Sequence, residues 1–271
     1  MLKKIQKFYK YTKKYGIKRA LTELKKFFQS KVNRDLIYQE YINSLQSLIN
    51  NEELLNELSR IDFKNLEDIF NFSQIFYNGI IAPMQFESEF LQLLKILKDM
   101  NVQNILEIGT ARGGTLFCFC KVLPPNSCII SIDLPFYGIP KYEKYDNLIL
   151  NVINKFKKTS QELHLIRSSS HSEKTLIKVK EILKQRELDF LFIDGDHSYE
   201  GTKMDFDMYS PLVKKGGIIA IHDIAPKGNI KKYTGYKPIF WKELKECQKY
   251  KYMEIIENPN QDRAGIGIIF T

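Results

Sequence analysis

Residues 102–115, VQNILEIGTARGGT, are the stretch from which the fold is predicted. An apolar run of strand type contains Glu107, and a turn with Gly113 and Gly114 follows before the next apolar run begins. The pattern predicts a buried parallel strand, a glycine turn and the start of a helix. Glycine allows the backbone to approach a ligand closely, and the free N–H groups at a helix start favour a polar or anionic group. We therefore expect a small polar ligand at this turn.

The glycine spacing differs from that of a dinucleotide-binding fingerprint, Gly-x-Gly-x-x-Gly, which would need a glycine in place of Ala111. The sequence has instead an acidic residue before the first glycine and three residues between the two glycines. This order resembles the first motif of class I S-adenosylmethionine-dependent methyltransferases. The alternative is an ordinary strand, turn and helix of any doubly wound domain. The resemblance implies cofactor contacts from four residues: Glu107, Gly109, Thr110 and Gly113.

Length and composition exclude several classes of protein. A chain of 271 residues is long enough for one large α/β domain with an appendage. No apolar run approaches the roughly 20 residues that span a bilayer, and the N-terminus alternates lysine with apolar residues, unlike a signal peptide. The four cysteines lack the spacing of a metal site and indicate buried free thiols. We expect a cytoplasmic protein.

The positive charge is concentrated at the N-terminus. Residues 1–31 contain eleven Lys or Arg and one acidic residue, a net charge of +10, so the total of +9 leaves −1 for the rest. The basic balance therefore does not indicate nucleic-acid binding. Apolar residues at helical spacing between the lysines are suited to a peripheral contact with the inner membrane face or to a partner. The alternative is a helix packed on its own domain.

The sequence predicts two domains. Residues 1–80 form a basic and polar helical extension, which covers the main domain or forms a contact in a homo-oligomer. Residues 81–271 form the α/β domain, in which a helix over residues 86–100 leads into the organising strand. In the family that the motif resembles, the segment before this helix lies over the cofactor, which makes Gln85 a candidate contact.

Two further positions point to nucleoside binding. The second strand, residues 128–133, ends in Asp133, and an acid there accepts hydrogen bonds from ribose hydroxyls in nucleoside-binding α/β domains. After the third strand, the serines at 168–170 are expected to cap the helix over residues 173–184. The family resemblance would also place Ser169 near the adenine.

Candidate reactive residues follow the fourth and fifth strands. Asp194 and His197 follow one strand, and His222 and Asp223 end the next. Functional residues in open parallel sheets collect beyond the carboxyl ends of the strands. Two later strands, close together in sequence, predict a closing hairpin. The predicted fold is a Rossmann-like, doubly wound α/β domain whose seven-stranded sheet is mostly parallel with an antiparallel last strand, preceded by the N-terminal helical extension.

Four separated blocks, FIDGDHSYEG, LVKKGGIIAIHD, GYKPIFWKEL and AGIGIIF, occur in this order. Together they resemble the cephalosporin-hydroxylase-like and macrolide-sugar O-methyltransferase branch of the class I methyltransferases, over about residues 83–270. The resemblance implies transfer of a methyl group from S-adenosylmethionine to a hydroxyl, often on a sugar, with a divalent metal binding the acceptor oxygens.

The chemistry of such a transfer suggests roles for these residues. An alcohol is a poor nucleophile at neutral pH, so a metal that lowers its pKa and a base that takes its proton both help. Asp194 and Asp223 suit Mg²⁺ or Mn²⁺, Asp194 is also a candidate cofactor contact, and His197 is the expected general base. His222 is a third metal ligand only if the strand has turned before Asp223; the alternative is a structural histidine.

Two other functions compete with methyl transfer. One is a nucleotide-cofactor oxidoreductase, which the glycine spacing disfavours. The other is a catalytically inactive methyltransferase-like domain that only binds its ligand. The acceptor is expected to be a small molecule or glycan, with no nucleic-acid partner. Selectivity for the acceptor is expected from the loops at residues 134–143 and 225–236, which carry no recognisable motif.

Overall fold

The computed structural model describes residues 17–225 and 236–271, with side chains from residue 33 onward. The chain divides into two compact units, Met1–Ser47 and Leu48–Thr271. The domain boundary that the sequence predicts after residue 80 stays a prediction. Residues 1–16 of the predicted basic helix lie outside the described part, and the helix α1 begins at Ile17. Within the described residues, no helix is long and apolar enough to cross a membrane.

Seven strands form one sheet in the order β3-β2-β1-β4-β5-β7-β6. Neighbouring strands are parallel except at β7, which runs antiparallel to both β5 and β6. The predicted fold class is therefore confirmed. The strands are β1 (Asn104–Ile108), β2 (Cys128–Asp133), β3 (Glu162–Arg167), β4 (Leu188–Ile193), β5 (Val213–His222), β6 (Lys251–Ile255) and β7 (Ile266–Phe270).

Helices connect the parallel strands, as the right-handed crossover of an α/β fold requires. Helix α3 packs on α5, α5 on α4, and α8 on both α9 and β4. The described helices are α1 (Ile17–Asn50), α2 (Glu52–Arg60), α3 (Leu66–Ile75), α4 (Glu87–Asp99), α5 (Gly114–Val122), α6 (Asp146–Ile153), α7 (Glu173–Leu183), α8 (Tyr199–Tyr209) and α9 (Lys237–Glu246).

Strand β4 shows how the core covers both faces of the sheet. Successive side chains of a strand point to opposite faces. Phe190 and Phe192 accordingly meet the ring of Phe119 in α5, with ring centroids 5.6 Å apart in each case. Leu191 and Ile193 belong to the apolar cluster on the other face, which includes buried residues of α7, α8 and α9. Burial on both faces explains why DFLFI is a continuous apolar run after its first residue.

Strand β5 is irregular near its start. Residues 214–217 lie within the strand, and its register with β4 shifts between Leu188 and Phe190. The chain terminus holds this irregular segment, because the N–H of Gly216 donates to the carbonyl of Thr271 at 2.9 Å and the N–H of Thr271 donates to Gly217 at 3.1 Å. Backbone pairing with Thr271 therefore orders this segment of β5.

Candidate active site

A cavity of about 880 Å³ opens at the carboxyl ends of β1, β2, β4 and β5. The order of the strands reverses between β1 and β4, and ligands in open α/β sheets bind at this switch point. The structure thus brings most of the sequence-predicted site residues to one cavity. Those that line it are Gln85, Gly109, Thr110, Asp133, Ser169, Asp194, His197, His222 and Asp223.

The two predicted glycines of the motif are required by close packing. Gly109 has φ +102°, and a Cβ atom there would lie 2.3 Å from the carbonyl oxygen of Asp194 at the end of β4. Gly113 has φ +83° and precedes α5, and a Cβ atom there would lie 2.7 Å from Cε2 of Phe156. Larger side chains would force β1 away from β4 or displace the turn. Gly113 lies outside the cavity lining, so its contribution is to the shape of the turn.

Asp133 lies at the end of β2 and is bonded to the glycine turn. Its Oδ2 accepts a hydrogen bond from the N–H of Ala111 at 2.7 Å, and its Oδ1 accepts one from the N–H of Leu134 at 2.7 Å. Burial raises the pKa of the Asp133 carboxyl, while the charge of Arg167 and both backbone N–H groups oppose that rise. The carboxylate therefore fixes the turn and also borders the cavity, as a ribose-binding acid must.

Glu107 occupies a different position from the one that the motif suggested. Its side chain is fully buried beneath the turn and does not line the cavity. Ser131 donates a hydrogen bond to its Oε2 at 2.5 Å and is itself 2.6 Å from the hydroxyl of Thr110. Burial raises the pKa of Glu107 to about 8. Direct contact between Glu107 and a ligand in the cavity is thus corrected to an indirect contribution through Ser131 and Thr110.

Ser169 lines the cavity, but the serines do not cap α7 as the sequence predicts. The residue at the N-cap position is Ser172, and no side chain makes a capping hydrogen bond there. Ser168 accepts instead a hydrogen bond from the hydroxyl of Thr175 at 3.2 Å. The helix start is tied to the cavity wall through side chains, and the role of Ser169 near an adenine stays a prediction.

Gln85 connects the segment before α4 to the end of β4. Its side-chain amide donates to Oδ2 of Asp194 at 3.0 Å, and its carbonyl accepts from the hydroxyl of Thr115 at 3.0 Å. Gln85 is buried, and all three residues line the cavity. The amide orientation is therefore fixed by both neighbours. Thr115, which the sequence analysis did not single out, orients Gln85.

Five titratable side chains form what we call the acid–base cluster: Asp194, His197, His222, Asp223 and Lys237. Nδ1 of His222 lies 3.2 Å from Oδ1 of Asp194 and 3.5 Å from Oδ1 of Asp223. Asp223 has φ +66°, so the strand has turned at this residue and both side chains reach the same cluster. The sequence allowed His222 and Asp223 to act together only if the strand had turned before Asp223, and the structure shows this turn.

His197 is the exposed member of the acid–base cluster. Its Nδ1 lies 3.3 Å from Oδ2 of Asp223, and 46% of its side chain is accessible. The positive charge of Lys237 and then burial lower the pKa of His197, against the opposing charges of Asp194 and Asp223. The imidazole is therefore neutral near pH 7, which is the form that accepts a proton. Its backbone carbonyl accepts a hydrogen bond from Tyr236 at 2.7 Å.

Lys237 is the functional residue that the sequence analysis missed. It begins α9 inside the GYKPIFWKEL block, and its side chain is fully buried. Its Nζ lies 2.9 Å from Oδ1 of Asp194 and 3.8 Å from Oδ2 of Asp223. A lysine is almost never fully buried unless it is paired. A lysine before proline at a predicted helix start was the available signal, but its partners Asp223 and Asp194 lie 14 and 43 residues away in sequence.

The structure changes the predicted set of metal ligands. Within this cluster, the atoms close enough to share an ion, all within 4.8 Å of one another, belong to Asp194, His197 and Asp223. His222 points Nδ1 at the two acids, and its buried Nε2 has no hydrogen-bond partner among the described residues. Because Lys237 already contacts both carboxylates, the cluster does not fit a divalent ion as it stands.

Comparisons with known proteins agree with this geometry. Residues 106–224 match a family model described as a methyltransferase domain. An uncharacterised protein of Acanthamoeba polyphaga mimivirus is 31% identical over 118 residues, which are 44% of this chain and 50% of that protein. An uncharacterised protein of Sinorhizobium fredii is 23% identical over 131 residues, 45% of this chain and 13% of that protein. The chain thus spans half or less of these curated relatives.

Solved structures share the fold at low sequence identity. A putative caffeoyl-CoA O-methyltransferase from Staphylococcus aureus is 17% identical, with a TM-score of 0.50 over 77% of this chain and 93% of that one. A putative O-methyltransferase from Klebsiella pneumoniae is 12% identical, with a TM-score of 0.50 over 78% and 91%. Residues 106–224 thus match a methyltransferase-domain model, and the sheet shares the fold of these two solved structures.

Proposed function

We propose that this chain is an S-adenosylmethionine-dependent O-methyltransferase that acts on a hydroxyl of a sugar or of a glycosylated small molecule. The observation that carries the proposal is the pairing of His197 with Asp223 in the cavity that the glycine turn also borders. A binding site and a proton acceptor thus share one cavity. The sugar acceptor rests on the family resemblance of the four sequence blocks.

One part of the cavity suits the cofactor. Gly109 gives the backbone at the turn its open conformation, Thr110 lies next to it, and Asp133 presents a carboxylate at the end of β2. These are the groups that bind a nucleoside with a charged tail in α/β domains. When bound, S-adenosylmethionine supplies a methyl group activated on a sulfonium.

The acid–base cluster suits the acceptor. The acceptor oxygen forms a bond to the methyl carbon as the carbon–sulfur bond breaks, and the electron pair of that bond remains on sulfur. The hydroxyl proton passes to Nε2 of His197, while Asp223 holds Nδ1 and stabilises the imidazolium that forms. The products are the methyl ether and S-adenosylhomocysteine, so atoms and charge balance.

Two alternatives remain from the sequence. A nucleotide-cofactor oxidoreductase would need a dinucleotide at the turn, but Ala111 occupies the place of its second glycine. A binding domain without turnover would keep the cavity but would need no base. The sequence also predicts assistance from Mg²⁺ or Mn²⁺, whereas the charges of the acid–base cluster favour transfer without a metal.

The experiment that tests the proposal incubates the protein with S-adenosylmethionine and a panel of sugars and glycosides, and measures S-adenosylhomocysteine. We expect product with at least one hydroxylated acceptor and its loss in His197→Gln. Binding of S-adenosylmethionine without product from any acceptor would favour the non-catalytic alternative. A thermal shift with NAD but not with S-adenosylmethionine would favour the oxidoreductase.

A further inference from the structure

Lys237 is fully buried, which is unusual for a charged side chain. None of its side chain is exposed, and Nζ contacts Oδ1 of Asp194 directly. Asp223 is the second carboxylate within 4 Å of the same nitrogen. A buried ammonium is stable only where opposite charges replace the lost water, and the two acids do so here. The lysine is therefore part of the site and not of the surface of α9.

A second nitrogen group lies beside the same acids. His222 is buried, and its Nδ1 contacts both Asp194 and Asp223. Asp194 and Asp223 thus already face the ammonium of Lys237 and a ring nitrogen of His222 before any ligand enters.

The oxygen atoms of Asp194 are also occupied. Oδ1 interacts with Lys237 and His222, and Oδ2 accepts the amide of Gln85. A divalent ion on these oxygens would displace an existing donor and would place two positive charges beside the buried ammonium of Lys237. Both effects oppose metal binding, because like charges at about 4 Å repel strongly where water is excluded.

We propose that the ammonium of Lys237 is the built-in cation of the acceptor site and takes the place of a divalent metal ion there. The proposal rests on the proposed methyl transfer for its chemical meaning, while the exclusion of metal can be measured without turnover. Lys237 lies behind the acids and does not line the cavity, so it is a positioning residue. It holds Asp194 and Asp223 in place through its contacts with both carboxylates.

The test compares the wild type with Lys237→Met, which keeps the length of the side chain and removes its charge. Lys242→Met is the matched control, since Lys242 lies on the same helix with 72% of its side chain exposed. Mn²⁺ is titrated into each protein, and free Mn²⁺ is measured by electron paramagnetic resonance. We expect no binding below millimolar Mn²⁺ for wild type and control, and binding on the order of tenfold tighter or more for Lys237→Met.

Two results would overturn the proposal. One is stoichiometric binding of Mn²⁺ to the wild type at micromolar concentration. The other is a folded Lys237→Met variant, judged by circular dichroism, with no gain in affinity for Mn²⁺. If that variant does not fold, the wild-type titration still decides the question, and Asp194→Asn combined with Lys237→Met removes the buried charge left unpaired.

The same proteins separate this proposal from the proposed function. Calorimetry with S-adenosylmethionine tests the cofactor site, and the Mn²⁺ titration tests the cation site. A wild type that binds neither S-adenosylmethionine nor Mn²⁺ would reject the methyltransferase while the role of Lys237 stands. A wild type that forms S-adenosylhomocysteine only with added metal, and stops when a chelator is added, would reject the role of Lys237 alone.

Discussion

Nδ1 of His197 lies 3.3 Å from Oδ2 of Asp223, which joins the loop after β4 to the end of β5. The contact orients the imidazole and leaves Nε2 as the nitrogen that takes a proton from an acceptor. Asp223 reaches this position because its backbone is left-handed, with φ +66°. The carboxylate that the sequence assigned to a metal is thereby placed to orient the base.

Replacement of the base should reduce turnover without loss of cofactor binding. We expect His197→Gln to lower kcat by about 10²–10⁴-fold, as for removal of a general base, while the Kd of S-adenosylmethionine stays nearly constant. Asp223→Asn should cause a smaller loss, because the ring remains but is less well oriented. His164→Gln, in β3 and outside the cavity lining, is the control and should keep full activity. Full turnover by His197→Gln would show that the base lies elsewhere.

The pH dependence follows from the charges that surround His197. The charge of Lys237 and burial lower its pKa, His222 acts in the same direction, and Asp194 and Asp223 oppose them. A base with a lowered pKa stays active to lower pH, and activity is lost only as pH falls through that value. The ring should titrate below the ordinary value of about 6.5, and Lys237→Met should move the titration to higher pH.

Proton NMR of the ring measures this pKa directly, since the chain contains four histidines and His197→Gln assigns one set of signals. An unchanged titration in Lys237→Met would contradict the assigned influence of the lysine.

Much of the fold followed from periodicity and glycine spacing, and the site followed only in part. Asp194 and Asp223 could be placed at neighbouring strand ends because parallel strands share one edge. Lys237 could not be placed, because its position depends on how α9 packs over that edge. Glu107 was misplaced for a different reason. Its position in the motif suggested contact with a ligand, but its side chain is buried and lies outside the cavity.

Glu107 should make stability depend on pH. Its folded pKa of about 8 exceeds the unfolded value, so its stabilising contribution is complete below about pH 4.3 and is lost as pH rises through the folded value. The loss approaches about 1.4 kcal/mol per pH unit between these limits. Glu107→Gln has no carboxyl to ionise, so its free energy of unfolding should rise relative to that of the wild type as pH rises from 5 to 8. Urea unfolding at several pH values measures this free energy for both proteins. The same dependence on pH in both would contradict the claim that Glu107 is buried as a neutral carboxyl.

The basic N-terminus gives a separate prediction about partners. Residues 1–31 carry +10 and the rest of the chain −1. Deletion of these residues should leave the affinity for S-adenosylmethionine unchanged and should reduce adsorption to anionic phospholipid vesicles. Adsorption of the full chain should weaken as salt rises, because the attraction is electrostatic. Equal adsorption by both proteins in a vesicle sedimentation assay would favour a helix packed on its own domain.

The central claim, that the cavity at the switch point holds S-adenosylmethionine, is tested most directly by calorimetric titration of that cofactor. The account predicts one molecule bound per chain, and binding weaker by about 1–3 kcal/mol in Asp133→Ala, the scale for loss of hydrogen bonds to a charged group. Asp207→Ala, on the exposed surface of α8, should bind as the wild type does. No binding by the wild type at millimolar cofactor, or equal binding by Asp133→Ala with its fold intact, would contradict the account.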